Sequence, residues 1–86
     1  MGLDTVELLI SIEDEFSIEF PNEDAARLGV LGDMQDYIVQ ALHERGESPD
    51  ESLIWQRLTQ VVVKQLGVRP EEVTRSAHVV KDLHAD

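Results

Sequence analysis

The sequence predicts an all-α protein: a small antiparallel bundle of three main helices plus one short helix. Two kinds of observation carry this. Apolar residues recur at three- and four-residue spacing in three separate stretches. Glycines and capping residues then bound those stretches, and the connections between them are short. With 86 residues and 42% hydrophobic composition, one core of modest size is available. The sequence contains no cysteine, so stability must come from apolar packing, with oligomerisation as a possible aid.

The first helix is expected over residues 3–16, with Asp4 as its N-cap and Leu8, Leu9, Ile12 and Phe16 as its buried stripe. Its other face carries Asp4, Glu7, Glu13 and Asp14, and acids near a helix C-terminus oppose the macrodipole at a small cost. Pro21 then forces Phe20 out of helical angles, so Ile18 and Phe20 read as loop residues tucked into the core. Residues 23–28 suit a short helix ended by Gly29. Residues 32–43 suit a longer one presenting Met34, Tyr37, Ile38, Ala41 and Leu42 on one side, with Gly46 as the stop.

The last helix has a strong start signal: Ser48 as cap, Pro49 at the first helical position and Glu51 completing a capping box. Ile54, Leu58, Val61, Val62 and Leu66 are core-spaced, and Gly67 ends the helix. The run Val61-Val62-Val63 could pass for a strand, but its flanks favour helix. Residues 68–86 read as loop, with a turn at Pro70 and Val73, Val79 and Leu83 as anchors. Trp55 reads as a packing residue at the core edge. The whole chain, 1–86, is one domain, because the linker at 44–50 is too short to separate two.

Eighteen acids against seven bases leave a net charge of -11. Such a field repels nucleic acid and anionic membranes and attracts basic partner surfaces. No apolar run reaches the roughly 20 residues of a transmembrane helix, and a cytoplasmic location is the expectation. His43, His78 and His84 lie in different segments with no ligand-like spacing, so no metal site is expected. No Ser or Thr has an evident paired base, so no catalytic residue and no enzyme are expected.

The stretch LDTVELLISIEDEF, followed by IEFPNEDAARLGVLGDMQDYI, resembles helices two to four of acyl carrier proteins. Those proteins read LDTVEL, an acidic EEEF, an IPDEDA loop and a VGDxxDYI helix, and the likeness runs through residues 3–38 without a gap. LTQVVVKQLGVRPEEVTRSAHVVKDLHAD resembles the first helix and long first loop of the same family, where a DLGAD stretch leads into a Ser-Leu pair. Residues 1–43 thus match the family's end and residues 51–86 its beginning, so the resemblance implies a circularly permuted order joined through 44–50.

In that family a DSL serine carries phosphopantetheine, whose thiol holds acyl groups for fatty-acid or related synthesis. Here Asp86 matches the motif's Asp and Leu3 its Leu, while Gly2 falls on the serine position. Glycine offers no hydroxyl, so no cofactor is expected on the chain as written. Ser11, Ser17, Ser48, Ser52 and Ser76 lack a DSL-like context.

The resemblance also implies a partner-recognition face at Asp4, Val6, Glu7, Ile10, Glu13 and Asp14, facing basic surfaces of acyl-chain-processing enzymes. Three roles follow as expectations. The chain is a carrier-like module with its loading site vacant, or a permuted or engineered form of a true carrier, or a structural domain-swapped dimer in place of a monomer.

Overall fold

A computed structural model describes residues 3–20, 29–79 and 81–83, with side chains from Val6 onward. The described residues form three α-helices: α1 (Leu3–Phe16), α2 (Leu31–Glu44) and α3 (Glu51–Leu66). A 3-10 turn at Pro70–Glu72 follows. The short helix expected at 23–28 lies outside the described residues.

The apolar stripes meet as their spacing requires. Leu8, Ile12 and Phe16 of α1, Met34, Ile38 and Leu42 of α2, and Ile54, Leu58 and Val62 of α3 form one buried cluster. Ile18 and Phe20 join it from the loop, and Val73, Val79 and Leu83 anchor the C-terminal segment to it. Packing, not β-propensity, settles the valine run. Val62 turns inward and is fully buried, while Val61 and Val63 flank it half-buried, as helical geometry demands.

Helix α3 is the central element and packs against both α1 and α2. Arg57 meets Glu15, while Lys64 shares a groove with Ser11 and Asp14, so α1 and α3 run antiparallel. The Arg57 guanidinium donates from Nε to the Glu15 carboxylate at 2.9 Å and from Nη2 to the Glu15 carbonyl at 2.7 Å. It also stacks 4.6 Å from the Phe16 ring centroid. One side chain thus closes the open carbonyl end of α1 and covers its last aromatic.

The end of α1 has a second closure. Ser17 adopts φ 54°, and the Ile18 amide donates to the Glu13 carbonyl at 3.1 Å, a Schellman turn built on a serine. The other half of the fold is tied through one buried amide. Gln35, 4% exposed, accepts from Arg75 and donates to the Glu51 carbonyl at 3.0 Å, so α2, α3 and the C-terminal loop meet on it. Nearby, the Gly32 amide donates to the Arg75 carbonyl at 2.8 Å. A Cβ at Gly32 would come within 2.8 Å of that oxygen, which is why the start of α2 needs a glycine there.

Two boundaries differ from the sequence expectation. Asp4 lies inside the first turn of α1, not at its cap, because the helix already begins at Leu3. The cap of α3 is Asp50, not Ser48: its carboxylate accepts from the Ser52 amide at 2.9 Å and the Leu53 amide at 3.4 Å. Pro49 therefore precedes the cap, and Glu51 is the first helical residue. A carboxylate one residue from the first turn reaches two orphan amides and adds favourable charge at the positive end of the dipole, which a serine hydroxyl does not. Asp50→Ala should lower stability by about 1 kcal/mol and Ser48→Ala by less than about 0.5 kcal/mol, read from urea melts of both variants. Equal losses would return the cap to Ser48.

Candidate functional site

The face to be judged is the outer side of α1. Residues at four-residue spacing, Val6, Ile10 and Asp14, share a stripe with Glu7, and all four are exposed. Val6 is 39% and Ile10 50% exposed, so the stripe is two aliphatic side chains held out among carboxylates. An aliphatic group in water loses the stabilisation that burial would give, roughly 1.5–3 kcal/mol for a full Val or Ile side chain. Covering this stripe with a partner would recover part of it.

Glu13 departs from the group. It is half-buried, and its carboxylate accepts the Phe20 amide at 2.7 Å. That bond satisfies a backbone donor where the chain leaves α1 and fixes the entry of Phe20 into the core. Asp14 and Glu15 stay exposed, and Glu15 is engaged with Arg57. Leu3 and Asp4 contribute backbone to the first turn of α1. Gly2 and Asp86, the residues on which the loading motif would fall, lie outside the described residues. The structure therefore brings Val6, Glu7, Ile10 and Asp14 together and directs Glu13 to an internal contact.

Among the described residues no group of three or more His, Cys, Asp or Glu side chains could hold a metal ion. None of their helices is long and apolar enough to cross a membrane. The serines fill other posts: Ser17 forms the αL turn after α1, and Ser76 lies 3.5 Å from Thr74, hydroxyl to hydroxyl.

Two features of the site region escaped the sequence reading. One is Arg57, which reaches α1 from a residue 42 positions away. The other is that the outer face of α3 differs in charge from the rest of the molecule. The signal for the second was available, since residues 52–66 contain no acid at all.

Over 39 residues, 45% of its length, the chain is 47% identical to proteins named acyl carrier protein from Chlorobium phaeovibrioides and Chlorobium luteolum. It spans half the length of each of these relatives. No family model matches the chain, and no solved structure matches it significantly. The chain is thus similar to acyl carrier proteins along half of their length, and the regular elements of its described residues are all helical.

Proposed function

We propose that this chain is an acyl carrier protein-like module that docks on enzymes of fatty-acid or related acyl chemistry through α1, and that it carries no phosphopantetheine. It acts by presenting a surface, not by catalysis, and the cytoplasm is the compartment that suits it. The single observation that carries this reading is the 47% identity over 39 residues to acyl carrier proteins. The exposed Val6 and Ile10 between Glu7 and Asp14 support the docking role, because an acidic stripe with aliphatic contacts suits partner surfaces rich in Lys and Arg.

The length of the match supports a permuted order. A chain whose family halves stand in reverse can align in one run with only one half of a relative, and the match covers half of each. In this reading residues 1–43 supply the family's later helices and 51–86 its first helix and loop. The packing of α3 against both α1 and α2 suits such a reconnection, since the same contacts form whichever end of the chain comes first.

The attachment chemistry does not fit phosphopantetheine. The residue before Leu3 is Gly2, which has no side-chain hydroxyl to take the arm. Incubation with coenzyme A and a phosphopantetheinyl transferase should leave the intact mass unchanged. A gain of one arm would overturn the vacant-site reading. The Gly2→Ser variant gaining an arm would instead identify the chain as a permuted form of a true carrier.

A further inference from the structure

The C-terminal segment is held to the start of α2 by a short antiparallel contact. Val30 and His78 form an isolated bridge, the Leu31 amide donates to the Ala77 carbonyl at 3.0 Å, and the Val79 amide donates to the Gly29 carbonyl at 2.8 Å. The half-buried His78 ring lies on Gly29 itself, where an added Cβ would strike Nε2 and the ring carbons. His78 also begins the turn that carries Leu83 into the core. Its carbonyl accepts from the Asp82 amide at 2.8 Å and from the Leu83 amide at 3.1 Å.

Two side-chain bonds close that turn, and they are reciprocal. The Lys81 amide donates to His78 Nδ1 at 3.2 Å, and the His78 amide donates to the Asp82 carboxylate at 2.7 Å. This is the logic of a capping box, in which the first side chain takes a forward amide and a later carboxylate takes the first amide. The residues that ordinarily open such a box, Ser, Thr, Asp and Asn, present an oxygen that accepts at neutral and mildly acid pH alike. An imidazole nitrogen accepts only while it lacks a proton, and an imidazolium has two donors and no acceptor.

We propose that His78 is an acid-opened clasp on the C-terminal segment: the neutral ring closes the turn over residues 78–83, and its protonation opens it. A proton on Nδ1 sets an N–H against the Lys81 N–H, so the bond is lost and two donors face each other. Among the described residues, the charged side chains nearest in sequence to the ring and to Gly29 are Arg75, Lys81 and Asp82 on its own segment and Asp33 on α2. Arg75 is committed to Gln35 and Asp36. Asp82 is the anion a charged ring can turn to, and drawing its carboxylate off the His78 amide breaks the second bond with the first. The sign follows from the acceptor. The clasp holds where imidazole is neutral and is lost as pH falls through the range in which histidines titrate, about pH 8 to 5. Leu83 is the anchor released, and the stripes of α1, α2 and α3 keep their own contacts.

Nuclear magnetic resonance from about pH 8 to 5 tests this on the wild-type chain and on His78→Asn, whose side-chain oxygen replaces Nδ1 as an acceptor throughout. In the wild type the Lys81 amide resonance should move with the same midpoint as the His78 ring carbons. In His78→Asn it should stay in place. Urea melts read the energetic side: between about pH 7.5 and 5.5 the folding equilibrium constant of the wild type should fall about fivefold further than that of His78→Asn. Both proteins retain His43, His84 and every carboxylate, so those contributions cancel. The coincidence of midpoints is read on the wild type alone and stands whether or not the variant folds. A Lys81 amide that does not follow the ring overturns the proposal, and so does an equal response to pH in the two proteins.

Discussion

Leu58→Ala should lower the free energy of unfolding by about 3 kcal/mol and the melting temperature by roughly 15 °C. Leu58 is fully buried on α3, the helix that packs against both α1 and α2. Truncation removes about three methylene-sized groups and leaves a cavity that neighbouring helices fill only partly. A domain of this size has only about 5–10 kcal/mol in total, so the loss is a large fraction of its stability. Leu53→Ala is the control: on the same helix but 56% exposed, it should cost less than about 0.5 kcal/mol. Thermal and urea melts followed by far-ultraviolet circular dichroism give both numbers. Similar small losses in the two variants would show that α3 is not the centre of the core.

Glu7→Lys combined with Asp14→Lys should weaken binding to a carrier-dependent enzyme at least about 100-fold while leaving the melting temperature nearly unchanged. Both side chains are exposed on α1, and no ion pair with a described residue holds either. Reversing them sets cations against the Lys- and Arg-rich surface proposed for the partner, so attraction becomes repulsion on both sides of Ile10. Glu13→Ala separates the two kinds of acid on this helix. Its carboxylate holds the Phe20 amide, so its loss should lower stability by about 1–2 kcal/mol and leave affinity within about twofold. Calorimetric titration and melts on the three proteins check these outcomes. Undiminished binding of the double variant would remove α1 as the recognition helix.

Glu13 shows how far a helical pattern can be trusted. Spacing places it with Asp14 near the polar side of α1, and periodicity carries no information about the loop that follows. Only once Phe20 folds back into the core does an amide arrive within 2.7 Å of the carboxylate. Ser48 and Asp50 illustrate a second limit. Both are good capping residues two positions apart, and sequence preference ranks them almost equally. Where α3 begins was decided by packing, as Gln35 holds the Glu51 carbonyl and Ile54 enters the core.

Three helices, their buried stripes, the glycine stops and the acidic stripe of α1 were legible from the residues themselves. Each depends on spacing along one helix or on a conformation only glycine adopts readily, and both are local properties. Gly67, for instance, ends α3 at φ 69° as its place in the sequence implies. The likeness to acyl carrier proteins was also legible, because it lies in runs of residues. Other features waited for the tertiary structure: Arg57 closing the end of α1 and Gln35 joining three segments. These join residues 16 to 42 positions apart. Their partners are chosen by how three helices pack, since charge and hydrogen-bonding capacity are written in the chain but proximity is not.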